Sequence, residues 1–335
     1  MLLPRCPFLL FGMGTRRKLL YAGGALRDAL TGESVRAWPV VSAELDPSNY
    51  RAELQTRNGE VIAIAEDERG IWLTEGGDVT CLAKGEAALP RFEGHRQAPL
   101  LRVLHHEILT NLLRAGPVPN LLVYAKPWYR DGAMVCMCLQ KTGNLHLAEH
   151  WIGSLREPFD RNNAGICEPD NLGQALYLIS LVSDSSHPLV GTILRTLPEV
   201  RRGNHIVGLT DGREHPVYQT KWLKFGLARL GLEDEYEIPP VYDDYSALFW
   251  MDYRDAHLPG PRLGAASTDH YPYLGWAEAH FYGDPPPMHL AGEGYPLTWE
   301  AHASEARYEG MALVSSEYVE RRICAPHSWH AAEMF

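Results

Sequence analysis

Two aromatic side chains, a guanidinium and a carboxylate stand together directly before an apolar run of the chain, at Trp128, Tyr129, Arg130 and Asp131. Trp and Tyr offer flat apolar faces with polar edges. Arg carries a rigid fork of donors, and a carboxylate accepts hydrogen bonds from hydroxyl groups. This combination is typical of a subsite that binds a sugar. The alternative is structural, because Asp131 is also placed to cap the helix that begins here.

Candidate carboxylates for acid–base chemistry occur in three other loops. Hydrolysis of a glycosidic bond needs one carboxyl group that protonates the leaving oxygen and a second that activates water or attacks the sugar. The acid must keep its proton near neutral pH, which requires a partly apolar setting. Glu168, between apolar neighbours and a polar helix start, fits this requirement. Glu300, beside Trp299, is the candidate for the opposite carboxylate, and Asp243 with Asp244 forms a further pair.

The predicted site follows from these loops. The catalytic candidates are Asp131, Glu168, Asp244 and Glu300. The predicted substrate-binding residues offer stacking faces or hydrogen-bonding groups, and they are Trp128, Tyr129, Arg130, Asp170, Asn171, Gln174, Gln219, Lys221, Trp299, His302, His327 and Trp329. We predict no metal ion, because the His-x-x-Glu-His pattern at 146–150 follows a plain loop away from these residues. We predict no cofactor, because the Gly-x-Gly at 12–14 lacks the third glycine of a dinucleotide site.

Composition limits the class of protein and its partners. The chain has 335 residues, 45% of them hydrophobic and 22% charged, as in an ordinary globular protein. Its net charge of −11 argues against nucleic acid and against an anionic membrane surface as partners. No apolar run approaches the ~20 residues that a membrane-spanning helix needs. The expected partner is an oligosaccharide or glycan, and the oligomeric state stays open.

Cysteine usage and the first residues bear on location. The six cysteines form no Cys-x-x-Cys pair, so we expect reduced thiols in a cytoplasmic protein. Residues 1–14 are apolar, but Pro4 and Pro7 interrupt the run and no small-residue cleavage pattern follows. They therefore predict a first strand and not a signal peptide.

Periodicity divides the chain into two parts. From residue 17 to 82 the period is close to two, and Asn58-Gly59 between alternating runs predicts a hairpin. Residues 1–90 are therefore predicted to form a small antiparallel β-unit, with strands at 18–21, 35–41, 51–56, 61–65 and 71–74. Residues 91–335 show helical periodicity. The predicted helices are 100–114, 132–141, 145–155, 172–182, 188–197, 217–230, 245–253, 271–282, 301–314 and 328–335.

The loops between these helices are of two kinds. Loops rich in aromatic and polar residues precede several helices, whereas the intervening connections, such as 141–144 and 183–187, are short and plain. If successive helices alternate in direction, the rich loops all fall at one end of the helical array. We expect the binding pocket at that end.

The stretch Trp128 to Asp131 resembles the Trp-x-Arg-Asp signature of glucoamylase-like proteins of the six-hairpin glycosidase superfamily. The resemblance implies a mainly α fold, an (α/α)6 toroid, preceded here by the β-unit. It also implies carbohydrate binding, with Arg130 and Asp131 holding sugar hydroxyls, and most directly a glycoside hydrolase. The chain lacks that family's Trp-Glu-Glu acid motif. A sugar epimerase or lyase of the same fold, using His and Tyr, and a non-catalytic carbohydrate-binding protein are the alternatives.

Overall fold

The computed structural model describes residues 8–124, 126–162, 164–241, 243, 245 and 326–335. The chain divides into two compact units. The first comprises Met1–Lys126, Cys138–Leu147 and Met288–Phe335, and the second comprises Pro127–Met137 and Ala148–Pro287.

The first unit contains two antiparallel sheets whose strands follow one another in chain order. The four-stranded sheet consists of β1 (Phe8–Phe11), β2 (Leu19–Ala22), β3 (Ala25–Asp28) and β4 (Ser34–Ala37). The five-stranded sheet consists of β5 (Val40–Asp46), β6 (Arg51–Thr56), β7 (Val61–Glu66), β8 (Gly70–Glu75) and β9 (Asp78–Lys84). The predicted hairpin between β6 and β7 is confirmed, with Leu54 opposite Ile62 and Gly59 at a φ of +84° in the turn.

The burial of the strands explains their sequence patterns. β6 and β7 bury alternate residues, because one face of the five-stranded sheet packs inward while the other meets solvent. β1 is buried at every position. Its Leu9 and Phe11 pack in a cluster with residues of β6 to β8, whereas Phe8 and Leu10 pack with a cluster from 118–123. β1 therefore has apolar contacts on both faces and shows no alternation.

Seven α-helices are present among the residues that the structure describes. They are α1 (Ala98–Thr110), α2 (Tyr129–Thr142), α3 (His146–Gly153), α4 (Asp170–Ser180), α5 (Pro188–Thr196), α6 (Pro216–Arg229) and α7 (Ser328–Met334). Three two-stranded hairpins separate some of them, formed by β10 (Leu112–Leu113) with β11 (Gly116–Pro117), β12 (Arg201–Arg202) with β13 (His205–Ile206), and β14 (Leu209–Thr210) with β15 (Arg213–Glu214). Within the described part of the chain, no helix has the length and apolar composition that crossing a bilayer requires.

The second unit is organised around the contact between α4 and α6. A Cβ atom added at Gly173 would lie 2.3 Å from the backbone of Trp222 and Leu223. One added at Gly226 would lie 2.5 Å from the Gly173 carbonyl oxygen. The two glycines therefore let the helix backbones touch. This contact places the polar first turn of α4 beside that of α6.

The predicted fold class is wrong. Among the described residues the structure has five antiparallel sheets beside the seven helices, which is an α+β fold and not a mainly α (α/α)6 toroid. The helix predictions that fall on described residues are confirmed to within a few residues at each end. The error lies in their connection, because hairpins interrupt the helices and α4 packs chiefly on α6, not on the next helix. The predicted helices 271–282 and 301–314, and all but the first residue of 245–253, lie outside the described residues.

A candidate functional site around Arg130

Arg130, in the first turn of α2, is the centre of a buried polar cluster in the second unit. Its Nη1 donates to Glu168 Oε2 at 3.1 Å, and its Nη2 donates to Asp211 Oδ1 at 3.0 Å. Nη1 also lies 3.7 Å from Asp170 Oδ2. The Arg130 side chain is only 6% exposed, so these carboxylates supply the partners that a desolvated guanidinium requires. The fork geometry of Arg lets one side chain join three acidic residues from distant segments.

Local structure places the three carboxylates. Glu168 lies two residues before Asp170, which is the first residue of α4. Asp211 lies in the two-residue turn between β14 and β15, where both it and Gly212 have positive φ angles of 48° and 78°. Asp-Gly is a favoured sequence for such a turn. The hairpin is fixed to the start of α4, because the Asp211 backbone N–H donates to Glu168 Oε1 at 2.9 Å.

Asp170 is held by a second layer of polar groups. Its Oδ2 accepts a hydrogen bond from Gln174 Nε2 at 2.8 Å, and its Oδ1 accepts one from Thr210 Oγ1 at 2.9 Å. Gln174 also donates to the Tyr218 hydroxyl at 3.2 Å, across the contact between α4 and α6. Asp170 is therefore fixed by α4 and by the hairpin, and Gln174 connects it to α6.

Gln219 extends this layer on α6. Its Nε2 donates to the Gly208 carbonyl oxygen at 2.8 Å and to Thr210 Oγ1 at 2.9 Å. The residue is fully buried, and its Oε1 accepts no hydrogen bond from the part of the chain that the structure describes. A buried amide oxygen in this position has capacity for one more donor.

Asp131 and Asp160 add further carboxyl groups beside Arg130. Asp160 Oδ2 accepts from the Tyr129 backbone N–H at 2.6 Å, and the Asp160 N–H donates to Asn171 Oδ1 at 3.1 Å. Burial raises the pKa of the Asp160 carboxyl to about 6, although the Tyr129 hydrogen bond opposes the shift. Burial likewise raises the pKa of Asp131 to about 7, against the attraction of Arg130.

The electrostatics of Glu168 suit a proton donor. Burial raises the pKa of its carboxyl to about 7, and the Arg130 charge offsets only part of that effect. Burial also raises the pKa of Asp170. A carboxyl group with a pKa near neutrality exchanges its proton readily at physiological pH, which is the property that general acid–base catalysis uses.

Aromatic rings flank the guanidinium. The centroids of the Trp128 and Tyr245 rings lie 5.4 Å and 5.9 Å from Arg130 Cζ, within the range of cation–π contacts. The Tyr245 hydroxyl donates to Asp211 Oδ2. The Tyr245 ring stacks on His215 with centroids 4.3 Å apart, and His215 Nδ1 lies 3.0 Å from Asp243 Oδ1.

The structure brings many of the predicted site residues together. In or beside the cluster lie Trp128, Tyr129, Arg130, Asp131, Glu168, Asp170, Asn171, Gln174 and Gln219. Lys221 is buried on α6. His327 and Trp329 belong to the first unit, at α7. Asp244, Trp299, Glu300 and His302 lie outside the described residues. The catalytic and binding roles of all these residues stay predictions.

Sequence reasoning missed Asp211, Thr210 and Asp160 as members of the cluster. Asp211 had one signal, since Asp-Gly between extended residues predicts a tight hairpin turn. Its contact with Arg130 joins residues 81 positions apart, which no local pattern indicates.

Comparison with known proteins gives no identification. No protein-family model matches the chain, and no curated protein and no solved structure is significantly similar to it. Together with the α+β architecture, this makes the assignment to the glucoamylase-like six-hairpin superfamily wrong. Within the described ranges, no group of three or more His, Cys, Asp or Glu side chains is arranged to hold a metal ion.

Proposed function

We propose that this protein is a carbohydrate-active enzyme that works by acid–base chemistry, in its simplest form a glycoside hydrolase. One observation carries the proposal. A single guanidinium holds Glu168 and Asp211 side by side, and their environments differ: the Glu168 side chain is 3% exposed whereas that of Asp211 is 46% exposed. Two neighbouring carboxyl groups in unlike environments take on unlike protonation roles, which is the arrangement glycoside hydrolysis needs.

The proposed roles follow from these positions. Glu168, buried and with a raised pKa, donates a proton to the leaving oxygen. Asp211, open to solvent, activates water or attacks the sugar. Arg130 positions both carboxyl groups, and the Trp128 ring offers a stacking face for a sugar. Asp131 is an alternative candidate for the proton donor, because burial raises its pKa to about 7 as well.

The remaining expectations belong to the same proposal. The partner is an oligosaccharide or glycan, and the net charge of −11 disfavours nucleic acid. We place the protein in the cytoplasm, because Cys138 is a free, buried thiol on α2. Such a thiol suits a reducing compartment.

A second candidate function, sugar epimerisation or elimination, is favoured by the group at the start of α6. His215 lies within hydrogen-bond distance of Asp243 and stacks on Tyr245, whose hydroxyl reaches Asp211. An imidazole oriented by a carboxylate beside a phenol is a typical acid–base pair for proton abstraction.

The test is an oligosaccharide panel with product analysis. We expect new reducing ends from the wild-type protein, and a loss of about a hundredfold or more in turnover for Glu168→Gln and for Asp211→Asn, with binding largely kept. The matched control is Glu214→Gln in the same hairpin, where an exposed carboxylate pairs with Arg202. Unsaturated or epimerised products, lost in His215→Asn, would establish the second candidate. Binding without any product would establish a non-catalytic binding protein.

A further inference from the structure

We propose that Asp243 is the positioning residue of the Arg130 site. It acts on the Asp211 carboxylate through Tyr245, and it fixes the tautomer of the His215 ring directly. This inference rests on the proposed function, because Asp211 and His215 are the groups that the two candidate reactions require. It also means that Asp243 itself neither donates a proton to a substrate nor attacks one.

The first argument is that Asp243 is too buried to meet a substrate. Its side chain is 2% exposed, whereas that of Asp211 is 46% exposed. Both of its oxygens accept hydrogen bonds from the backbone: Oδ2 from the Tyr218 N–H and Oδ1 from the Tyr245 N–H, each at 3.1 Å. Tyr218 is the third residue of α6. This carboxylate therefore caps the start of the helix and ties Tyr245 to it.

The second argument concerns the orientation of Asp211. Its Oδ1 accepts from Arg130 Nη2 at 3.0 Å, and its Oδ2 accepts from the Tyr245 hydroxyl. Because the two donors lie on different oxygens, together they fix the plane of the carboxylate. Asp243 bonds the Tyr245 backbone, and it also bonds the His215 ring on which the Tyr245 ring stacks. Asp243 therefore holds the Tyr245 hydroxyl on Asp211 through two contacts.

The third argument concerns His215. An ionised carboxylate is only an acceptor, so the 3.0 Å contact between His215 Nδ1 and Asp243 Oδ1 places a proton on Nδ1. In the neutral ring Nε2 then carries no proton and is the nitrogen that can accept one. Nε2 makes no hydrogen bond with any residue that the structure describes, and the His215 side chain is 13% exposed. Asp243 therefore leaves the proton-accepting nitrogen on the far side of the ring.

The test measures both effects without an enzyme assay. The histidine ring nitrogens are isotopically labelled, and NMR at alkaline pH, where imidazole rings are neutral, gives the tautomer of His215. Its signals are identified by their absence in His215→Asn. We expect the Nδ1–H tautomer in wild type and a mixture dominated by Nε2–H in Asp243→Ala. The Tyr245 ring signals, identified with Tyr245→Phe, should move toward those of free tyrosine in Asp243→Ala.

The matched control is Asp234→Ala. The Asp234 carboxylate also accepts from a backbone N–H, that of Tyr236, and from a basic side chain, Lys224 of α6. Its removal should leave both sets of signals unchanged. An Nε2–H tautomer of His215 in the wild type would overturn the inference even if Asp243→Ala does not fold. An unchanged tautomer in folded Asp243→Ala would overturn it as well.

Turnover separates this inference from the proposed function. If the wild type releases products from the oligosaccharide panel, Asp243→Ala should lower kcat by about a hundredfold with KM largely kept, because misplacing reacting groups by about 1 Å has that effect. Tyr245→Phe should reproduce most of this loss for hydrolytic products, and His215→Asn for unsaturated or epimerised ones. Unchanged kcat in Asp243→Ala would overturn this inference alone. If the wild type yields no product, the proposed function is wrong, and the NMR result still decides whether Asp243 positions the two groups.

Discussion

Arg130 stabilises the second unit only because its carboxylate partners are in place, and they depend on it in return. Removing one member of a buried ion cluster leaves uncompensated charge in a poorly solvated interior. We expect Arg130→Met to lower the free energy of unfolding by about 3–5 kcal/mol at neutral pH. The loss should be smaller in mild acid, because the orphaned carboxyl groups then take up protons. Denaturant unfolding at both pH values measures this.

The matched control for Arg130 is Arg202→Met. Arg202 also pairs with a carboxylate, Glu214, but its side chain is 64% exposed. Such surface pairs contribute about 0–1 kcal/mol. A cost for Arg130→Met no larger than for this control would show that the cluster is not a stabilising unit.

The raised pKa of Glu168 predicts a pH dependence of stability with a definite sign. Burial raises this pKa from 4.5 to about 7, so between those values the folded protein holds a proton that the unfolded chain releases. The stabilisation that this bound proton provides is complete at pH values below the pKa of 4.5 in the unfolded chain. It is lost as the pH rises to the folded pKa of about 7. Glutamine cannot ionise. We therefore expect the stability of wild type relative to Glu168→Gln to fall as pH rises from about 4.5 to about 7.

Unfolding free energies of the two proteins across this range measure the effect. Taking the difference cancels other titrating groups, such as His105 and His106, whose pKa values burial lowers to about 4 and about 3. The unfolding free energy of the control variant Glu214→Gln should change with pH in the same way as that of wild type. A pH-independent difference for Glu168→Gln would contradict the raised pKa.

At this scale the sequence was informative where local context decides the environment. Glu168 has apolar neighbours before a polar helix start, and Arg130 follows two aromatic residues; both are buried in the cluster. Asp211 is different, because its place in the cluster comes from a partner 81 positions away in the sequence. Tertiary contacts of this kind cannot be inferred from spacing.

Among the elements, the contact of α4 with α6 decides how the cluster is assembled. Gly173→Ala should destabilise the protein although alanine favours helix by about 1 kcal/mol. Its Cβ would lie 2.3 Å from the backbone of α6, so the helices must separate. Overpacking of this kind typically costs about 1–3 kcal/mol. Thermal and denaturant unfolding give the measurement.

Gly191→Ala in the interior of α5 provides the comparison. Its Cβ would meet only the end of the flexible Arg195 side chain, at 3.4 Å. We expect this variant to be neutral or slightly more stable, because only helix propensity changes. If Gly173→Ala behaves like Gly191→Ala, the two helices do not require a glycine at their contact.

The elements also show why helices were predictable and their arrangement was not. Periodicity reflects which side of an element is buried, and α3 and α5 bury one apolar side. In contrast, α4 is buried at every position from 170 to 179, and its length and apolar composition predicted it instead. The hairpins β10 to β15 have strands of only two residues, too short to show a period. Alternation of rich and plain loops suggested consecutive helix pairs, but Gly173 and Gly226 join α4 to α6 and skip α5.

In the molecule as a whole, each unit has a buried ionic centre of its own, and that of the first unit ties its two sheets together. Glu66, at the end of β7, accepts hydrogen bonds from the backbone N–H groups of Gly12 and Met13 at 2.9 Å and 2.7 Å. Its Oε1 also accepts from Arg16 Nη1 at 2.9 Å. These residues follow β1, so Glu66 connects the five-stranded sheet to the four-stranded one.

Lys18 is a second buried cation at this ionic centre, beside Arg16, and it adds to the positive charge that Glu66 balances. Lys18 Nζ donates to the Gly14 carbonyl oxygen at 2.5 Å, and burial lowers its pKa to about 7 although Glu66 opposes the shift. Arg16 donates to the carbonyl oxygens of Asp67 and Gly85, both at 2.7 Å. Carbonyl oxygens satisfy these donors but carry no full charge. Glu66 therefore supplies the carboxylate that balances the buried cations.

We expect Glu66→Gln to destabilise the first unit by about 3–5 kcal/mol, because it leaves Arg16 buried without a counter-charge and removes an acceptor from the 12–13 backbone. Hydrogen exchange measured by mass spectrometry should show lost protection across β1, β2 and β7, where the joined sheets meet. Glu53→Gln, on the exposed face of β6 beside Arg51, should cost no more than about 1 kcal/mol and keep that protection. Unchanged protection in Glu66→Gln would mean that apolar packing alone, through residues such as Phe11 and Ile64, holds the two sheets together.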